Sequence, residues 1–315
     1  MEEIADNMTL GQEVSTSLGS RQNSLGGFKM ADEQLFGISI TEIIKKRLSV
    51  RTYSARPLPP ETKEALRGFF SMLRGPFGGT VRCNLIERDL ARTGSNAKLG
   101  TYGVIRGAAT YVVAVVGKAD RDLEDFGYSL EKAILYATSL GLGTCWLGGT
   151  FKKNEFAKAI EQKDGEIWPC ITPIGYPSSN KSLIDSAMRF VAGSKNRKPW
   201  DELFFSGDFS HRLSESEAGK YVTPLEMLRL APSASNKQPW RIVKETNKSH
   251  FYLQHTKGYA KLLAHDLQRV DMGIAMCHFE LTAEELGIKG RWQISDPRSI
   301  NTPQDTEYVV SWVEG

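Results

Sequence analysis

Arg47, Ser49 and Arg51, in the stretch RLSVRTY, occupy alternate positions. In extended backbone, residues two apart project to one side, so two guanidinium groups and a hydroxyl would be presented together. The planar guanidinium fork binds phosphate oxygens in pairs, which makes the stretch a candidate anion cradle. The same residues also read as a solvated basic patch closing a surface helix. A second basic string, SKNRKPW, holds Lys195 and Arg197 and by itself reads as a charged loop. The turn APSASNKQPWR, residues 231–241, gathers Ser233, Ser235, Asn236 and Gln238 between two prolines. Those side chains suit either a ligand-facing wall or a hydrogen-bonded turn that caps the helix before it. In GLGTCWLGG, residues 141–149, glycines let backbone amides approach another group closely, and Gly141 also fits a left-handed helix C-cap.

No catalytic dyad stands out. His211, His250, His255, His265 and His278 lie in the C-terminal part without a motif around them, and read as surface or structural residues. Cys83, Cys145, Cys170 and Cys277 form no CxxC pair and have no histidine at metal spacing. They are expected to be free, mostly buried thiols in a reducing, cytoplasmic setting, with Cys145 a buried small residue and no metal site. A net charge of +3, with basic and acidic residues interspersed, gives no broad footprint for nucleic acid. No apolar run approaches the ~18 residues that a bilayer span requires.

The elements that must position these groups follow from periodicity. Ile40, Ile43, Ile44 and Leu48 share one helix face, and Leu66, Phe69, Phe70 and Leu73 line a second helix. VRCNLIE (81–87), TYVVAVVG (110–117) and WPCITPIGYP (168–177) read as strands. Leu130, Ala133, Ile134, Ala137 and Leu140 mark a helix that ends at Gly141, and TPLEMLRL marks another ahead of the 231–241 turn. Residues 1–35, polar and without a leader-like apolar core, are expected to form a mobile tail.

The pattern then partly repeats. DFGYSLEKAILYATSLGLGTCW (125–146) aligns without a gap with DMGIAMCHFELTAEELGIKGRW (271–292) at a constant offset of 146, with 7 of 22 pairs identical. Residues 69–87 and 227–245 also align as helix, polar turn and strand. Two copies of one unit are expected, at 38–200 and 205–315.

RLSVRTY, GLGTCWLGG, PIGYP, a late basic segment and the APSASNKQPWR turn together resemble the flavin-dependent nitroreductase family, over nearly the whole chain beyond the tail. The resemblance implies an α+β fold with a central antiparallel sheet flanked by helices, bound FMN, and hydride transfer from NADPH or NADH through flavin N5 to an electron-poor acceptor such as a nitroaromatic or quinone. It implies Arg47, Ser49, Arg51, Lys195 and Arg197 for the phosphate and ribityl chain. It implies Trp146, Leu147, Gly148 and Gly149 for the ring edge and, by a looser match, Thr101 and Gly103. Family members are typically homodimers with each FMN across the interface, and there the PSxxNxQPW segment reaches the flavin of the other subunit. Here the first copy keeps RLSVR, GLGTCWLGG and KNRKP but lacks PSxxNxQPW, whereas the second keeps only PSASNKQPW. The expectation is a monomeric, internal pseudo-dimer with one FMN, Ser233, Ser235, Asn236 and Gln238 forming the wall between halves, and Lys237 within reach of an acidic substrate group. A flavin-dependent dehalogenase or oxidase of the same fold, and a non-catalytic flavin-binding protein, are the alternative readings.

Overall fold

The computed structural model describes residues 36–87, 103–149, 151, 156, 160–178, 196–259, 264–297 and 299–315. The expected tail, Thr101 and Lys195 lie outside the described residues. The first part of the chain contributes α1 (Ile40–Lys46), α2 (Pro60–Met72), β1 (Val81–Glu87), β2 (Thr110–Gly117), α3 (Asp122–Ser139), β3 (Gly143–Thr144), β4 (Glu166–Ile167) and β5 (Ile171–Gly175). The later part contributes α4 (Trp200–Leu203), β6 (Phe204–Ser206), α5 (Glu215–Ala218), α6 (Val222–Arg229), β7 (Trp240–Lys244), β8 (Lys248–Gln254), α7 (Leu267–Glu285), β9 (Gly290–Gln293) and β10 (Thr306–Glu314). Among the described residues, no helix is long and apolar enough to cross a membrane.

The strands form two sheets where the sequence suggested one central sheet. The first has the order β1-β2-β5-β3, with β4 beside β2, and all of its pairs are antiparallel. The second has the order β6-β7-β8-β10-β9, antiparallel except for β6 with β7. Setting β4 and β6 aside, β1-β2-β5-β3 and β7-β8-β10-β9 match strand for strand in chain order. The long helices, α3 and α7, stand at the same place in each series, after the second strand and before the third.

Those two helices pack against each other at the centre. Every residue of α7 from Val270 to Ala283 is buried, the signature of a helix enclosed on all sides. Gly127 and Gly273 mark where the backbones meet. A Cβ on Gly127 would strike the carbonyl oxygen of Val270, and one on Gly273 would strike that of Glu124. The two contacts are reciprocal, since Glu124 precedes Gly127 by the same interval as Val270 precedes Gly273.

The same helices carry paired polar bonds. Trp146 and Trp292, one beyond each helix, donate indole N–H groups to Glu131 and Glu280, each over 2.7 Å. Each carboxylate also takes a partner from the opposite helix. Tyr128 Oη donates to Glu280 over 2.7 Å, and His278 Nε2 lies 2.9 Å from Glu131.

Helix α1 is tied to this pair through α7. Its first N–H groups lack intrahelical acceptors. Glu285 accepts from Ile40 N–H at 2.5 Å and Ser39 Oγ at 3.1 Å, placing negative charge at the positive helix end. From Arg47 onward the chain is extended. Val50 N–H donates to Thr144, and Tyr53 and Arg106 exchange the chain with Arg51 through Tyr53 N–H to Arg106 O and Arg106 N–H to Arg51 O. Gly143 permits this passage, because a Cβ there would meet Val50 at 2.7 Å.

Gly273→Val should therefore force the central helices apart. Overpacking of this kind costs about 1–3 kcal/mol, and more where backbone must move. A lowered urea midpoint is expected; an unchanged midpoint would show that the crossing is not close-packed.

Candidate functional site

Arg47 leaves α1 with its side chain only 8% exposed. Its Nε has no hydrogen-bond partner and lies 3.7 Å from Glu131 Oε1, too far for a hydrogen bond. Arg51 Nε and Nη1 and Arg197 Nε are likewise buried without partners among the described residues. Burial, with the Arg47 and Arg229 charges, lowers Arg197 to about 10. Buried guanidinium donors left unpaired are costly, and an anion beside them would relieve that cost.

Arg197 also joins the C-terminal turn. It donates to Asn236 Oδ1 at 2.6 Å and to the Leu230 carbonyl at 2.9 Å. Asn236 donates back to the Asn196 carbonyl at 2.8 Å. Gln238, 2% exposed, accepts from Lys198 N–H at 2.7 Å and donates to the Asn196 carbonyl at 3.2 Å. The amides of Asn236 and Gln238 thus splice residues 196–198 to the turn. Ser233 Oγ accepts from Gln238 N–H at 2.9 Å, inside the turn. Ser235 is exposed and pairs with Tyr259 Oη at 3.0 Å. Lys237 is exposed.

Ser235, Asn236 and Gln238 all have left-handed backbone, with φ of 50°, 53° and 49°. Such residues cost of order 1–3 kcal/mol each and concentrate at ligand clamps. Asp271 on α7 holds this turn by accepting from Ala234 N–H at 2.9 Å. Asp125 on α3 does the same for the 75–79 turn, accepting from Phe77 and Gly79 N–H at 2.8 and 2.6 Å. Both carboxyls are raised by burial, Asp271 far above its ordinary range. They differ in that Asp271 Oδ2 is buried without a partner.

The glycine-rich segment divides. Trp146 turns its indole inward to Glu131. Leu147 exchanges both backbone hydrogen bonds with Ile171 at 3.0 Å, so its N–H is committed within the sheet. Gly148 lies where a Cβ would strike Leu267 on α7 and reach Cys170 Sγ at 3.3 Å. Gly141 adopts φ +75° just past α3, as a C-cap requires. Gly103 has φ +78° ahead of β2. Ser49 bridges Thr144.

The groups the sequence did not single out are Glu131 and Asp271, both buried on the central helices, and Tyr259. Asp271 was visible as an identity with Asp125. Glu131 and His278 carried one signal, a charged residue and a histidine within the apolar stretch of each aligned helix.

The profile of the family described as "Putative TM nitroreductase" matches residues 39–283. The chain belongs to this nitroreductase family. A solved nitroreductase structure from Thermotoga maritima, described as putative, is 22% identical, covers 88% of this chain and 94% of its own, and superposes with a TM-score of 0.55, which shows a shared fold. An Archaeoglobus fulgidus protein named "Putative NADH dehydrogenase/NAD(P)H nitroreductase" is 24% identical over 174 residues, matching 50% of this chain and 97% of its own length. A nitroreductase with bound FMN from Bacteroides fragilis is 20% identical and covers 46% of this chain and 92% of its own, with a TM-score of 0.37.

Asp271 gives this nitroreductase-family chain a testable pH signature. Its folded pKa is raised above the unfolded value of about 3.9. The folded state therefore holds the extra proton, and the associated stability is lost as pH rises from there toward the folded value. Asp271→Asn imitates the protonated carboxyl. The stability difference, variant minus wild type, should grow with pH above about 4, by at most about 1.4 kcal/mol per unit. A difference that stays constant between pH 4 and 7 in urea titrations would contradict the assignment.

Proposed function

We propose that the protein is an FMN-dependent oxidoreductase that draws electrons from NADPH or NADH, and that one FMN lies between its two halves. The observation that carries this reading is the set of buried, unpaired guanidinium donors on Arg47, Arg51 and Arg197. Their chemistry fits a phosphate monoester. Bound FMN would supply hydride acceptance from the nicotinamide and delivery to an electron-poor acceptor such as a nitroaromatic or quinone.

The chain's own residues bind, orient and seal. Arg47 and Arg51 would hold the phosphate from the extended segment after α1, with Ser49 beside them. Arg197 would close over it while bonded to the C-terminal turn. The N–H groups of Gly148 and Gly149 would face the ring edge, where fixed donors favour developing negative charge. Ser233, Asn236 and Gln238 fix the shape of the turn, and Ser235 with Tyr259 offers hydroxyl groups on its exposed side. No general acid or base from the protein is required for the hydride step.

A duplicated unit, with halves at 38–200 and 205–315, is supported by the matching strand order and the reciprocal Gly127 and Gly273 contacts. A single site is supported by what precedes α2 and α6, the helices that lead into β1 and β7. Between α1 and α2 runs the segment 47–59, which carries the arginines. Between α5 and α6 there is only the short turn Gly219–Tyr221, with no counterpart of that cradle. On this reading a second copy of the chain is not needed to complete the site, and the protein functions as a monomer.

Purified protein should carry or take up FMN, and its flavin absorbance should bleach with NADPH or NADH and return when a quinone or nitroaromatic is added. The double variant Arg47→Ala, Arg197→Ala should lose FMN. Wild-type protein that rejects FMN, or a double variant that retains it, would overturn the assignment of the phosphate site.

A further inference from the structure

Glu131 joins parts of the molecule that the sequence keeps far apart. Its side chain is 0% exposed. One oxygen accepts from Trp146 at 2.7 Å, which anchors the glycine-rich segment. The other lies 2.9 Å from His278 Nε2 and 3.7 Å from Arg47 Nε. His278 is itself 0% exposed and fixed from its far side, since Nδ1 lies 2.9 Å from the Met227 carbonyl and must be the donor there. A continuous series of contacts therefore runs from the backbone of α6, through His278 on α7 and Glu131 on α3, to Arg47 at the end of α1.

Glu280, the other buried glutamate of the helix pair, accepts from Trp292 and Tyr128. Glu131 has the Arg47 guanidinium beside it. Arg47 is buried near a second guanidinium, Arg197, and like charges in a low-dielectric setting repel. A carboxylate on the Nε side of Arg47 offsets that repulsion.

We infer that Glu131 is a positioning residue for the cradle: braced across the halves by His278, it orients Arg47 for a phosphate monoester. The inference rests on the proposal that Arg47 binds the FMN phosphate. It adds that phosphate recognition by the first half depends on a histidine of the second. Preorganisation of this kind raises affinity by removing the ordering cost from the binding step.

The test compares FMN with riboflavin, which lacks the phosphate, by fluorescence titration of flavin-free full-length protein. Glu131→Gln keeps the side chain's shape, can still accept from Trp146, and can meet His278 Nε2 through its amide, while losing the charge that faces Arg47. It should lower the preference for FMN over riboflavin about tenfold, with riboflavin affinity unchanged. A purely structural role would weaken both ligands alike. An unchanged or increased preference, or equal loss of both ligands, overturns the inference. His278→Leu removes the cross-half brace, together with the bond to Met227, and should shift the preference in the same direction, so it decides the matter if the first variant does not fold; an unchanged preference there counts against the inference. Arg47→Ala, measured alongside, separates the two levels. If it lowers the preference and Glu131→Gln does not, only the positioning role fails. If neither does, the phosphate assignment fails as well.

Discussion

The contact on which the rest depends is the backbone-to-backbone crossing of α3 and α7. Two glycines let the helices approach until carbonyl oxygens occupy the space of a side chain, and the bonds of Glu131 and Glu280 are arranged around that approach. At this separation Glu131 can meet a histidine on the opposite helix, and Glu280 a tyrosine. Wider spacing would take from each carboxylate the partner it draws from the opposite helix, and a buried carboxylate that loses a partner is costly. The crossing also sets α1, through Glu285 on α7, and with it the point where Arg47 leaves the helix.

The two series of elements differ in what they carry. The first has the extended arginine segment and the glycine-rich strand beside it; the second has the strained polar turn, and a single short turn joins its α5 to α6. Asp125 and Asp271 show the difference in miniature. Asp125 spends both oxygens on the 75–79 turn, whereas Asp271 spends one on the 234–238 turn and keeps the other unpaired. On the proposed single-site reading, one turn has become a fixed cap and the other a wall that meets a ligand.

Much of the scaffold was legible in the sequence because periodicity reports directly on burial. β1 and β2 have the bounds that their residue patterns suggested, and the gap-free alignment of 125–146 with 271–292 pointed at once to the two central helices. The end of the first helix was not legible: Leu48 was expected on its apolar face, but the helix stops at Lys46, Arg47 is already extended, and Leu48 is exposed. Nor were side-chain destinations. Trp146 was expected near the ring edge, but its indole turns to Glu131. Asn236 and Gln238 were expected to face a ligand, but their amides join the 196–198 segment to the turn. Local sequence states what a group can donate or accept, and the partner that wins is fixed by the tertiary approach of segments some 40 residues away. The division into two sheets was hidden for a related reason: β6 and β9 are only three and four residues long, and their neighbours make them strands.

The measurement that bears most directly on the central claim is the flavin-to-chain ratio of the purified, FMN-saturated protein, taken by absorbance together with molecular mass by light scattering. A cradle in one half and a wall in the other predict one FMN per chain, whatever the mass. Two FMN per chain would mean that each half builds a site of its own, and would contradict the division of labour between the halves.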